Sequence, residues 1–140
     1  MVLGMSSRRE NPRIVDYHQL DGLVKRNPHR EKILVTRRHP SKFNRDNVRV
    51  VWVTRVSHPD AVPPGKLHVV EQIIWDRLNE GPADVILDAL EYLILENGLE
   101  STLRFVAKLR DMALLKGSNF FVTVSDGIDD RTLNLLRRII

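Results

Sequence analysis

Four short apolar segments alternate along the chain with longer segments of helical periodicity, and this alternation constrains the fold more than any other feature. The apolar segments predict strands over residues 32–36, 48–54, 83–89 and 120–124. The periodic segments predict helices over residues 14–26, 41–47, 67–80, 99–116 and 130–140. Strands that alternate with helices are typical of βαβ units, in which the strands run parallel. The sequence therefore predicts an α/β protein with three α/β/α layers and a mainly parallel sheet of about four strands.

The predicted elements belong to one domain over residues 14–140, preceded by a flexible lead-in over residues 1–13. Residues 57–66 contain Gly65 and three prolines, so we expect them to form the longest loop and no regular structure. Hydrophobic residues make up 42% and charged residues 29%, which is typical of a globular protein and not of a disordered one. Since no apolar run approaches the roughly 20 residues that cross a bilayer, we expect a cytoplasmic protein without a membrane partner.

The charge is distributed unevenly between the two parts of the chain. Residues 1–55 hold 13 Lys and Arg against 5 Asp and Glu, a net charge of +8, whereas residues 56–140 hold 9 against 13, a net charge of −4. Such asymmetry indicates either a surface for anions, nucleic acid or an acidic partner, or two parts that neutralise each other across the fold. We favour neutralisation, because the basic residues are scattered and lack interleaved aromatic side chains.

Residue types that carry catalysis are scarce. The absence of cysteine excludes disulfides, thiolate metal sites and cysteine nucleophiles. The five histidines are scattered and predict no metal site, and no Gly-x-Ser-x-Gly segment occurs. We therefore expect no catalytic residues, no cofactor and no enzymatic activity. Two glutamines among many Arg and Glu form a composition reported for heat-adapted proteins.

The predicted strand over residues 83–89 carries a carboxylate, Asp88, near its end. In nucleotide-hydrolysing α/β proteins, an aspartate in this place holds magnesium. The partner motif G-x-x-x-x-G-K-[ST], which cradles the phosphates, occurs nowhere in the chain. The sequence therefore predicts the scaffold of such a protein without its triphosphate site.

Several segments of the chain form a recognisable set: Leu87-Asp88-Ala89-Leu90-Glu91-Tyr92-Leu93-Ile94, Asn97-Gly98-Leu99-Glu100, the helix around Leu109-Arg110-Asp111, the turn Arg37 to Pro40, and the strand with Trp52. Together they resemble Domain of Unknown Function family eight-three-five, which is found largely in archaea. The resemblance covers roughly residues 30–140. It implies no catalytic residues, and the occurrence of members beside sensor modules implies a regulatory role.

The order of elements is also distantly similar to a RecA/KaiC-type ATPase core, with residues 37–41 in the place of the phosphate loop. This similarity implies a sheet order of 2-3-4-1 for the four predicted strands. A flavodoxin-like order, 2-1-3-4, is the alternative.

Ligands of open parallel sheets bind beyond the carboxyl ends of the strands, so the side chains predicted there are the candidate site. One interpretation is an anion pocket formed by Arg37, Arg38, His39 and Ser41. The interpretation that we favour is an internal ion pair, drawn from Arg37 or Arg38 and from Asp88 or Glu91, since a buried carboxylate needs a partner.

These observations predict a non-enzymatic regulatory or interaction domain with a degenerate P-loop-like core and an unidentified protein partner. A phosphate- or nucleotide-binding protein that uses the turn over residues 37–41 is the first alternative. Nucleic-acid binding through the basic N-terminal part is a weaker one. The apolar pair at residues 139 and 140 either packs back onto the sheet, which we favour, or joins a second subunit, so self-association is a further option.

Overall fold

A computed structural model describes residues 13–140, and in this part of the chain all strands belong to one parallel sheet. The predicted lead-in, apart from Arg13, lies outside the described residues. The strands are β1 (Ile14–Asp16), β2 (Lys32–Thr36), β3 (Val48–Val53), β4 (Ala61–Val62), β5 (Asp84–Asp88) and β6 (Asn119–Val124). The helices are α1 (Leu20–Lys25), α2 (Leu67–Leu78), α3 (Leu90–Asn97), α4 (Leu99–Leu115) and α5 (Asp130–Ile139). Two 3-10 turns cover Tyr17–Gln19 and Pro40–Phe43.

The α/β class and the parallel sheet are confirmed, with six strands instead of about four. The spatial order is β1-β6-β5-β2-β3-β4. The four predicted strands are β2, β3, β5 and β6, and among themselves they follow the flavodoxin-like order 2-1-3-4. The favoured order, 2-3-4-1, is wrong for these four strands, because β2 pairs with β5 and the position beside β6 is occupied by β1.

Three local predictions were wrong because tertiary contacts outweigh local pattern, and one helix was not predicted. Ile14–Asp16 is a strand and not the first turn of a helix, since it pairs in register with Val122, Thr123 and Val124 of β6. Ala61–Val62, in the predicted loop, adds a short strand beside Trp52 and Val53. The apolar residues after Asp88 form the separate helix α3, whose apolar side chains are spread around the helix and so show no clear period. The predicted helix over residues 41–47 is reduced to the 3-10 turn Pro40–Phe43.

The sheet separates two apolar cores of unequal size. On one side, which we call the helical face, α2, α3, α4 and α5 pack on alternate side chains of the strands, such as Val35, Val53 and Leu87. On the other side, which we call the second face, only α1 and the turn Pro40–Phe43 cover Leu34 and Ile86. The strand residues Val15, Val48, Val50 and Phe121 are only partly buried on this second face. The two faces therefore offer different surfaces to other molecules.

Helices α3 and α4 meet at Gly98, whose backbone conformation redirects the chain. Its φ of 86° and ψ of 162° belong to a region that is open almost only to glycine. The bend is held by Leu93, whose carbonyl oxygen accepts hydrogen bonds from Thr102 Oγ1 at 3.0 Å and from Asn97 Nδ2 at 3.2 Å. The Asn-Gly pair in the sequence thus marks a junction of two helices.

We expect Gly98→Ala to lower the free energy of unfolding by about 1–3 kcal/mol, the usual cost of a non-glycine residue in such a conformation. A β-carbon at position 98 would meet no atom within 4 Å, so the effect isolates backbone strain from steric overlap. Urea denaturation measures it. Gly22→Ala is the matched control, because that glycine lies in α1 with equally open space, and alanine there should stabilise by about 0.5–1 kcal/mol. Equal effects of the two substitutions would contradict the argument.

Candidate functional site at the carboxyl ends of the strands

Parallel pairing places the ends of the central strands side by side at one edge of the sheet. Thr36 at the end of β2 is in register with Asp88 at the end of β5 and with Trp52 in β3. Thr123 of β6 reaches Asp88 from the other side. A row of polar and aromatic side chains therefore crosses the second face at this edge.

Asp88 is the centre of this row and is almost enclosed, with 8% of its side chain exposed. Its Oδ2 accepts a hydrogen bond from Thr36 Oγ1 at 2.7 Å, and its Oδ1 accepts one from Thr123 Oγ1 at 2.5 Å. Burial raises the pKa of Asp88, and the two threonine hydroxyls and the charge of Arg38 act in the opposite direction. Both carboxylate oxygens therefore already have a protein partner.

The two arginines after β2 point to different sides of the sheet. Arg38 lies near Asp88, with its Nε 3.8 Å from Asp88 Oδ2, and it also donates to the carbonyl of Tyr17 at 3.4 Å. Arg37 instead donates to the carbonyl of Val53 at 2.8 Å and lies 3.8 Å above the centre of the Tyr92 ring. Of the two, only Arg38 therefore lies beside Asp88.

Glu91 and the turn after Arg38 complete the set of predicted site residues. Glu91 Oε2 accepts a hydrogen bond from the backbone N–H of Ser125 at 2.8 Å, which ties α3 to the end of β6. His39 caps the following 3-10 turn, where its Nδ1 accepts from the backbone N–H of Ser41 at 3.1 Å. Arg37 and Arg38 thus make contacts on different sides of the sheet, whereas His39 and Ser41 contact each other in the turn.

An aromatic cluster that sequence reasoning missed lies beside this turn. The ring of Trp52 is 4.9 Å from that of His39 and 5.2 Å from that of His58, in edge-to-face arrangements. The indole N–H of Trp52 donates to the carbonyl of Arg37 at 3.1 Å. No local motif announces this cluster, because it unites three segments through the pairing of β2, β3 and β4.

A second feature that was missed is a groove on the helical face between α2 and α4, which we call the α2–α4 groove. It has a volume of about 820 Å³. Its apolar lining comprises Val69, Ile73, Trp75, Met112 and Leu115. Leu115 is 74% exposed. The signal in the sequence is a doubled stripe in α2, where Val69 and Ile73 stand one residue before the buried Val70 and Ile74.

Comparison with known proteins identifies the family of the chain. The family model described as "Protein of unknown function (DUF835)" matches residues 15–140. The chain belongs to this family. The resemblance noted in residues 30–140 is thereby confirmed, and the DUF835 match extends it to the N-terminal strand β1. No curated protein matches the chain significantly. Within residues 13–140, no helix is both long enough and apolar enough to cross a membrane.

We expect Asp88→Asn to raise the stability of the protein at neutral pH, because the native state disfavours the charged form of this buried carboxyl. The pKa of Asp88 is raised above its usual value of 3.8, so the folded state binds its proton more readily than the unfolded state. The advantage of the variant should therefore shrink as the pH falls through the raised pKa and level off below 3.8. Denaturant unfolding between pH 4 and pH 8 measures this difference.

Asp129→Ala is a control at a carboxylate whose charged form is expected to stabilise the folded state, in contrast to Asp88. Hydrogen bonds from the side chain and backbone of Thr132 lower the pKa of Asp129, which caps α5. The charged form therefore stabilises the folded state, and the contribution is lost only when the pH falls below 3.8. The alanine variant should be less stable than wild type throughout the range from pH 4 to pH 8. The interpretation of Asp88 would be refuted if the wild type were more stable than Asp88→Asn by an amount that grows as the pH rises.

Proposed function

We propose that this DUF835 protein is a non-enzymatic interaction domain that receives an apolar segment of a protein partner in the α2–α4 groove. The observation that carries it is the partly exposed apolar lining of that groove, in which Leu115 is 74% exposed, since apolar surfaces that remain open to solvent mark interaction sites. Grooves between helices commonly receive the apolar face of a helix.

The carboxyl edge of the sheet supports the non-enzymatic part of this proposal. Asp88, which would hold a metal in a nucleotide-hydrolysing protein, is bonded to two threonine hydroxyls and lies beside Arg38. Its ligand oxygens are directed to the protein itself. A nucleotide at this edge would have to displace these contacts, which favours an internal structural role for the carboxylate.

We also propose that the fold is a degenerate P-loop-like core, with the place of the phosphate loop moved from residues 37–41 to the segment after β1. If β1 is taken as the first strand and β3 and β4 are left out, the adjacent strands β2, β5, β6 and β1 follow the order 2-3-4-1. The segment in the place of a phosphate loop is then Tyr17–Gln19, between β1 and α1. It is a single 3-10 turn without glycine or lysine, so it lacks the groups that cradle a triphosphate.

The groove has features that suit a partner helix with an apolar face and mixed charges at its border. Lys108 Nζ and Glu71 Oε1 form an ion pair of 2.9 Å between α4 and α2. Lys116 Nζ lies 4.7 Å from the centre of the Trp75 ring. Charges of both signs therefore stand beside the apolar lining and could orient a partner.

We expect Mg-ATP to leave the thermal stability of the protein unchanged. A ligand at 100 times its dissociation constant would add about 2.7 kcal/mol to the free energy of unfolding, which a melting curve detects readily. The measurement compares melting with Mg-ATP, with magnesium alone and with ATP alone. A stabilisation specific to Mg-ATP, and lost in Arg38→Ala, would favour the nucleotide-binding alternative and contradict the proposal.

The groove is tested with Leu115→Glu, which places a charge at its apolar border. The matched control is Leu95→Glu, because Leu95 on α3 is exposed to a similar degree, 78%, and does not line the groove. Cross-linking and affinity purification from the source cells should recover a partner with wild type and with Leu95→Glu, but not with Leu115→Glu. Identical recovery with all three proteins would refute the groove as the binding site. Sedimentation velocity shows whether the partner is a second copy of the chain.

A further inference from the structure

The uneven charge of the sequence becomes an uneven charge of the two faces. The helical face is built by helices from residues 67–139, which belong to the acidic part of the chain. The second face is covered by α1 and by the segment between β2 and β3, both from the basic part. The sheet separates the basic side chains that these two segments place on the second face from the carboxylates of the helices opposite.

Ion pairs between the two parts of the chain neutralise only some of the basic residues. Arg30 pairs with Asp84, with 3.1 Å between Nε and Oδ1. Arg55 pairs with Glu96, and Arg38 lies beside Asp88. The expected neutralisation across the fold is therefore present at these three arginines.

Four other cations on the second face have no carboxylate partner within residues 13–140. They are Lys25, Arg26, Lys42 and Arg45, and all four are exposed. Lys25 and Arg26 follow one another at the end of α1, and Lys42 and Arg45 lie in or just after the turn Pro40–Phe43. Two separate segments thus present pairs of free positive charges on the same side of the sheet.

The segments that carry the two pairs approach each other at Lys32, at the amino end of β2. Lys32 is 2% exposed, and its Nζ donates to the carbonyls of Asn27 at 2.9 Å and Arg30 at 3.2 Å. Burial lowers the pKa of Lys32, the carboxylate of Asp84 opposes this, and the charges of Arg45, Arg26 and Arg30 lower it further. The backbone N–H of Lys32 donates to the carbonyl of Asn47, two residues after Arg45, and its Nζ donates to the residue that follows Arg26, so the segments with these two arginines meet at Lys32.

Aromatic rings are available on the same face. Phe121 is partly buried in the sheet surface, with the guanidinium carbon of Arg26 at 5.8 Å from its ring centre. Trp52, which is also only partly buried, lies on the same side of β3 as Val48 and Val50. A sheet face that combines aromatic rings with neighbouring cations is suited to unpaired bases and their phosphates.

We propose that the second face binds single-stranded nucleic acid, with the phosphates held by Lys25, Arg26, Lys42 and Arg45 and the bases stacked on Phe121 and Trp52. A single strand is favoured over a duplex because stacking on a protein ring requires an unpaired base, whose face is not covered by a neighbouring base pair. This binding site is separate from the α2–α4 groove on the opposite side of the sheet, so either proposal can fail alone.

The test is fluorescence anisotropy of the full chain with labelled 20-nucleotide oligo-dT and oligo-U, between 50 and 300 mM NaCl. Neutralising four phosphates of a single strand corresponds to a slope of about −3 in a plot of log K against log salt. Lys42→Ala with Arg45→Ala should reduce this slope to about half and weaken binding at low salt by about tenfold or more. Absence of binding at 50 mM NaCl would overturn the proposal.

Arg137→Ala with Arg138→Ala is the matched control. These exposed arginines lie at the end of α5 on the helical face, and their substitution removes the same amount of positive charge. The control variant should bind as the wild type does. A loss of affinity equal to that of Lys42→Ala with Arg45→Ala would show that net charge alone attracts the nucleic acid, and would contradict binding at a specific face. Stacking is tested in Trp75→Phe, where quenching of the remaining Trp52 on oligo-dT binding is expected. Unquenched Trp52, or equal affinity for the matching duplex or for inorganic polyphosphate, would overturn the assignment to single-stranded nucleic acid. Melting curves of each variant verify that it is folded.

Discussion

The carboxylate of Asp88 joins the three central strands where they end. One of its oxygens is bonded to Thr36 of β2 and the other to Thr123 of β6, while its own backbone belongs to β5. The bonds keep the ends of these strands together at the edge where an open parallel sheet would otherwise receive a ligand. Arg38 then connects this centre to the carbonyl of Tyr17, and so to the beginning of the chain. A residue type that suggests metal chemistry thus serves to hold strands together.

The amino ends of the same strands carry a second polar centre of similar construction. Asp84 accepts hydrogen bonds from Arg30 Nε at 3.1 Å and from Asn119 Nδ2 at 3.0 Å, beside the buried ammonium of Lys32. Buried charges contribute little net stability, but they disfavour arrangements in which they lose their partners. A shift of β5 by one residue would separate Asp84 and Asp88 from these partners together. Both centres therefore define the register of the sheet.

The elements that could be predicted from the sequence are those whose local pattern and tertiary environment agree. Strands β2 and β5 are short apolar segments buried from both sides, β6 is an apolar segment buried mainly on the helical face, and α2, α4 and α5 each bury one apolar stripe. Strand β1 could not be predicted, because Ile14 and Val15 suit a helix equally well and only their pairing with β6 decides. The site was predictable as a set of strand ends, but the threonine partners of Asp88 depend on register between strands far apart in sequence. The direction in which each arginine points follows from the alternation of side chains along β2, which a prediction of its boundaries alone does not include.

The two border strands, β1 and β4, are only three and two residues long. A long free border would present a row of backbone donors and acceptors, to which another chain could add a strand. Each border strand offers too few of these groups for such an addition, so the borders of the sheet do not promote aggregation by strand pairing. Both proposed binding sites accordingly lie on the broad sides of the sheet and not at its rims, so that side chains, and not backbone, would select a partner.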